Sequence, residues 1–159
     1  MTESARDFDL ERFLPYLLNQ VAEATSAGFH AAYRDRYGMT RTQWRVLANL
    51  GKFGAMTARD ICGISHIEKT KVSRAVTALE DAGFLNRVRS DADRRAEILS
   101  LTDAGQTVFA QLGQLANSYD SGLRARLGPA EAAQLDALLR RVLQTEGHRM
   151  GGGPLPSAG

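Results

Sequence analysis

The segment from Ser73 to Leu101 constrains the fold more than any other. SRAVTALEDAG repeats its apolar residues at helical spacing and stops at Gly83. FLNRVRSDADRRAEILSL then switches to two short apolar-alternating runs around SDADRR. A change of period from about 3.6 to 2 marks a helix that feeds a β-hairpin. The hairpin tip carries Asp93, Arg94 and Arg95. Two adjacent arginines at a loop tip point to an anionic partner, and the phosphate-lined grooves of DNA are the first candidate.

The rest of the chain bounds this reading. At 159 residues it is about one domain with room for a real core. No apolar run approaches the roughly 20 residues that cross a bilayer, so no membrane partner is expected. The start, MTESARDFDLERF, is too charged for a signal peptide. A single cysteine, Cys62, leaves no internal disulfide and fits a reducing cytoplasm. Net charge is only +2, but its distribution is uneven: residues 41–102 hold 11 Lys/Arg against 7 Asp/Glu, whereas residues 1–40 hold 4 against 6. The positive surplus therefore sits around the helix and hairpin.

Helix signals surround that segment. Phe13, Leu14, Leu17, Leu18, Val21, Thr25, Phe29, Ala32 and Tyr33 form a broad stripe that ends near Gly38, with Pro15 suited to a first turn. Residues 1–12 are a separate arm. Thr40-Arg41-Thr42-Gln43 is a capping box opening a helix through Trp44, Leu47, Leu50 and Phe53, which Gly51 and Gly54 are expected to end. Thr57 opens a short helix holding Ile61 and Ile64. The next helix has two competing starts, a second capping box at Ser65–Glu68 or a turn through Ile67 with the helix beginning near Glu68. Either start puts Val72, Val76 and Leu79 on one face and Thr70, Ser73, Arg74 and Thr77 on the other, flanked by Lys69 and Lys71. Beyond the hairpin, Thr102-Asp103-Ala104-Gly105 opens a long helix, Gly128-Pro129 breaks it, and a last helix carries Leu135, Leu138, Leu139, Val142 and Leu143. The glycine- and proline-rich residues 148–159 are expected to form a disordered tail.

The order of these elements, with QWRVL, KTKVSRAVTALEDAGFL and RSDADRR followed by ILSLTDAG, resembles the MarR family of bacterial transcriptional regulators over about residues 13–146. The resemblance implies a mainly α fold with a small β-hairpin wing. A winged helix-turn-helix DNA-binding domain over 40–102 would be flanked by dimerisation helices at 13–39 and 103–147. It implies a homodimer on a pseudo-palindromic double-stranded DNA operator, acting most often as a repressor, and it favours the helix start at Glu68. Lys69, Thr70, Lys71, Ser73, Arg74 and Thr77 would enter the major groove. Arg95 would enter the minor groove, with Arg94 on phosphate and Asp93 holding an arginine in place. The physical reading agrees, since hydroxyls and a guanidinium on one helix face can reach base edges and phosphates.

Family members often bind small aromatic acids, which points to an aromatic carboxylate or its coenzyme A thioester as effector. His30, Tyr33, Arg34, Tyr37, Arg41, Trp44 and Arg45 mix rings with cations and could line its cleft, although Trp44 as plain core and the arginines as solvated surface is an equal reading. Two other functions stay open: a redox-sensing regulator using Cys62, and a winged-helix module that binds protein instead of DNA. No phosphate loop, nucleophile elbow or zinc-protease motif is present, so no enzyme is expected. Cys62 and His66 have metal-like spacing but lack further ligands, and neither metal nor cofactor is expected.

Overall fold

The structure, a computed structural model, describes residues 8–150, with side chains through residue 147. Helix α1 spans Leu14–Tyr37 and α2 Arg41–Phe53. A short strand β1, Met56–Thr57, precedes α3, Ala58–Ser65, and α4, Lys69–Asp81. Strands β2, Leu85–Arg89, and β3, Glu97–Leu101, form the hairpin. The long helices α5, Asp103–Leu127, and α6, Pro129–Met150, complete the order. This is the mainly α, winged helix-turn-helix architecture expected from the sequence. The described residues divide into two compact units, one ending at Ala116 and the other beginning at Asn117.

Local chemistry explains most boundaries in the first unit. Asp9 caps a single 3-10 turn at Leu10–Arg12, and Pro15 lies in the first turn of α1. Gly38 ends α1 at φ 62°, a left-handed conformation that glycine adopts without a Cβ penalty. Gln43 N–H donates to Thr40 Oγ1 while Thr40 N–H donates to Gln43 Oε1, both at 3.2 Å, so the first capping box forms as read. Thr57 and Asp60 form another, which opens α3. The box at Ser65 does not form. The Ser65 hydroxyl donates to the Ile61 carbonyl, His66 turns the chain at φ 52°, and buried Ile67 points into the core. Helix α4 therefore starts at Lys69 with Glu68 as its cap residue.

Two expectations need correction, and one strand was not foreseen. Gly51 does not end α2, which runs on to Phe53 with Gly54 as its cap. A Cβ at Gly51 would lie 2.4 Å from the Phe109 ring, so this glycine makes room for α5 to approach. The two-residue strand β1 carries no alternation of its own and is defined by pairing alone, with Met56 opposite Leu99 and Thr57 opposite Ile98, giving sheet order β1-β3-β2. The tail expected from residue 148 begins inside α6, whose helical backbone reaches Met150; residues 151–159 lie outside the described residues.

One core joins these elements. Val46, Leu47 and Leu50 of α2 meet Ile61 of α3, Val72, Val76 and Leu79 of α4, Leu85 and Leu99 of the sheet, Tyr33 of α1, and Val108 and Leu112 of α5. The start of α5 is fastened to the turn between α4 and β2. Thr102 Oγ1 donates to Gly83 O (2.7 Å) and accepts from Gly105 N–H (3.0 Å), and Thr102 N–H donates to Phe84 O (3.1 Å). In the second unit, Arg124 bridges Asp120 and Asp136, and Arg140 also meets Asp136. These pairs hold Asp136 below the usual carboxylate range, mainly through the Arg140 hydrogen bond.

A Cβ built on Gly105 falls 2.0 Å from the Phe84 carbonyl oxygen, which is backbone and cannot swing aside. Gly105→Ala is expected to cost about 3 kcal/mol or more, since overpacking typically costs about 1–3 kcal/mol. Gly63→Ala, on a helix with open space at its Cβ, is expected to gain about 0.5–1 kcal/mol. Urea unfolding of the two variants at one protein concentration checks both signs.

Candidate nucleic-acid interface

Helix α4 divides cleanly by exposure. Val72, Ala75, Val76 and Leu79 are buried, which anchors the helix rigidly. Lys69, Thr70, Lys71, Ser73, Arg74 and Thr77 are all exposed on the remaining surface. Thr77 Oγ1 donates to Ser73 O at 3.2 Å, so its hydroxyl keeps acceptor capacity toward solvent. Its start is fixed from behind: the Arg45 guanidinium donates to Ser65 O at the end of α3, tying α2 to the turn that launches α4. Burial, and then the nearby charge of Arg41, lower the Arg45 pKa from its ordinary value.

The hairpin tip is a folded turn. Ser90 N–H donates to Ala96 O and Ala96 N–H to Asp93 O, each at 2.9 Å. Asp93 Oδ1 accepts from Arg95 N–H at 3.0 Å. The Asp93 carboxylate thus holds the main chain of Arg95 rather than a guanidinium, and it shapes the loop that presents both arginines. Arg94 and Arg95 are exposed. Among the described residues, none of Lys69, Lys71, Arg74, Arg94 and Arg95 pairs with a carboxylate, whereas Arg34, Arg41, Arg87, Arg124 and Arg140 all do. Cations left without internal partners on a rigid helix and a folded loop are available to phosphates and base edges.

Sequence reasoning missed two arginines of the hairpin. Arg89, at the end of β2, is exposed and without a carboxylate partner among the described residues. Its place one residue before the loop was a usable signal. Arg87 bonds both Glu80 and Glu97, carboxylates seven and ten residues away, which no local pattern reveals.

The residues read as an effector cleft are only partly brought together. Tyr33 is 2% exposed and stacks on Trp44 at 6.2 Å with an interplanar angle of 14°. Phe29 and His30 pack edge-on against Tyr33 at 5.8 and 5.2 Å. Burial raises the Tyr33 pKa, against a smaller opposing effect of Arg41. Arg41 bonds Glu23 at 2.7 Å. Arg34 is exposed beside Asp35, and the Tyr37 hydroxyl donates to Gln111 Oε1 while its ring meets Phe84. His30, Tyr33, Arg41 and Trp44 therefore share one region, while Arg34, Tyr37 and Arg45 are engaged elsewhere. Cys62 is a free thiol packed partly against the core. No described helix is long and apolar enough to cross a membrane, and no three metal-ligating side chains converge among the described residues.

Comparison with known proteins agrees with this geometry. The family model described as MarR family matches residues 37–96. The crystal structure of the MarR family transcriptional regulator SPO1453 from Silicibacter pomeroyi is 31% identical, covers 87% of this chain and 98% of its own, and superposes with a TM-score of 0.76. A cysteine-to-serine variant of E. coli MarR complexed with operator DNA has the same fold, at 23% identity, 86% and 99% coverage and a TM-score of 0.74. So does Bordetella bronchiseptica BpsR, solved for regulation of its DNA binding by 6-hydroxynicotinic acid, at 24% identity, 85% and 96% coverage and a TM-score of 0.74. The extent of the match to SPO1453, together with the family model over the helix-turn-helix and wing, places the chain in the MarR family of DNA-binding transcriptional regulators.

Proposed function

We propose that the protein is a homodimeric repressor that binds a pseudo-palindromic operator and is released by a small aromatic carboxylate or its coenzyme A thioester. The observation that carries the DNA part is the set of unpaired cations on α4 and the wing, beside a row of exposed hydroxyls. In this reading α4 lies in the major groove, with Arg74 donating to a guanine edge and Lys69, Thr70, Lys71, Ser73 and Thr77 dividing phosphates and bases. Arg95 reaches the minor groove and Arg94 a phosphate.

Dimer formation is supported by apolar surface that one chain leaves bare. Phe13 at the cap of α1, Leu14, Leu17 and Val21 within it, and Leu135, Leu138, Leu139 and Leu143 of α6 are all exposed. Surface of that extent is covered by a partner in a stable protein, and a two-fold partner suits a two-fold operator. Two recognition helices about 34–36 Å apart fit successive major grooves, so a ligand that favours another spacing releases both. His30, Tyr33, Arg41 and Trp44 are the region where we place that ligand, its carboxylate competing with Glu23 for Arg41. BpsR, a fold neighbour regulated by 6-hydroxynicotinic acid, sets a precedent for this ligand class.

Four outcomes test the reading. Arg74→Ala is expected to weaken binding to the upstream intergenic duplex by about 1–3 kcal/mol, and binding to random duplex much less. Lys71→Ala is expected to weaken both about equally, as a phosphate contact does; equal losses for Arg74→Ala would remove it from base readout. Leu14→Glu with Leu17→Glu is expected to shift sedimentation from dimer toward monomer, and an unchanged dimer places the interface elsewhere. Titration with hydroxybenzoates and their thioesters is expected to change the fluorescence of Trp44, the one tryptophan of the chain, and to release DNA. If a releasing compound is equally potent on His30→Ala and Arg41→Ala, the cleft lies elsewhere.

A further inference from the structure

Arg87 stands apart from the cations left free for DNA. It projects from the middle of β2, on the sheet face it shares with Leu85 and Leu99, toward the end of α4. Its Nε and Nη2 both donate to Glu80 Oε2, at 3.0 and 2.8 Å, and its Nη1 donates to Glu97 Oε2 at 3.1 Å. Three donors of one rigid planar fork are thus committed to two carboxylates, which fixes the plane of the group as well as its charge. The Arg87 side chain is 28% exposed, less than Glu80 at 40% or Glu97 at 44%. The two hydrogen-bonded carboxylates raise its pKa further, so it stays charged.

The placement of this tie gives it a consequence. Glu80 belongs to the last turn of the recognition helix, and Glu97 follows directly on the wing loop. Hydrophobic anchoring of the hairpin stops short of the tip: Leu85 and Leu99 are buried, but Val88, Arg89 and Glu97 are exposed. Beside the buried Leu85 and Leu99, the guanidinium adds a polar side-chain link between hairpin and recognition helix. We propose that Arg87 is a positioning residue that sets the angle of the wing against α4, so that Arg94 and Arg95 reach the DNA that α4 engages. This rests on the reading that those two arginines contact DNA.

Charge alone and positioning predict opposite signs for one variant. Removing a carboxylate from a DNA-binding surface tightens binding by charge alone. Glu80→Gln removes the charge at the helix end of the tie and turns an ion pair into a weaker neutral hydrogen bond, so positioning predicts weaker binding instead, by about three- to fivefold, the upper range for a partly exposed ion pair. The experiment uses the full-length protein and a duplex selected from random-sequence DNA by binding to the unaltered chain. Affinities are measured for Glu80→Gln and Arg87→Lys, each in the unaltered chain and in an Arg94→Ala, Arg95→Ala background, with thermal midpoints confirming the fold. The expected result is a loss for Glu80→Gln that shrinks below about twofold once the wing arginines are gone, the non-additivity of groups acting through one another. Arg87→Lys, which keeps the charge but cannot fork, is expected to show a smaller loss with the same dependence. Tighter binding by Glu80→Gln, or an equal loss in both backgrounds, would overturn the proposal. A wing double variant that binds like the unaltered chain would fail the wing reading itself, and that result is read from its own arm.

Discussion

The joint at the head of α5 is the constraint on which the DNA-binding arrangement depends. Thr102 is at once the cap of α5, through its bond from Gly105 N–H, and a clasp on the Gly83–Phe84 turn that ends α4 and begins β2. The helix comes so close to Phe84 that no side chain fits at Gly105. One short segment therefore fixes three directions: where the recognition helix stops, where the wing starts, and where the long helix leaves. A helix cap is ordinarily worth about 0.5–2 kcal/mol to its own helix. Here the same hydroxyl also satisfies a turn carbonyl, so its loss would disturb the relation among three elements. Tyr37 adds to the joint by meeting Phe84 with its ring and Gln111 with its hydroxyl.

Electrostatics divides the arginines by task. Those that hold the fold are spent on it: Arg87 on two carboxylates, Arg45 on the carbonyl of Ser65, and Arg124 and Arg140 on Asp120 and Asp136. Those on the outer surface of α4 and the wing have no such partners among the described residues. A net charge of +2 hides this division, because the paired arginines cancel against their own acids and leave the surplus where it is accessible. Asp93 fits the same logic. Its carboxylate lies beside two arginines, yet it serves the main chain of the loop and so adds rigidity at the tip.

Elements written by local chemistry were legible in the sequence. The capping boxes at Thr40 and Thr57 use groups three residues apart, Pro15 and Pro129 sit at helix starts, and Gly38 and Gly128 stop helices with positive φ. The buried and exposed faces of α4 follow from spacing alone, as does the hairpin with its basic tip. What local pattern left open or misread was competition between local and distant demands. Ser65 offers a valid capping box, but burial of Ile67 and the bond to the Ile61 carbonyl prevail. Gly51 looks like a stop, but its missing side chain serves a ring 58 positions later.

The sequence by itself determined the order of the helices and the hairpin, the winged helix-turn-helix class, and the exposed basic and hydroxyl-bearing face of α4. Each of these rests on periodicity, caps and composition, interactions that reach no further than about one helical turn. Tertiary structure decided the rest: strand β1, which exists only through pairing with β3; the stacking of Tyr33 on Trp44; and the role of Arg87. These depend on groups brought together from distant positions by burial of the shared core. Burial is a cooperative property of the whole chain, and no short window of residues contains it.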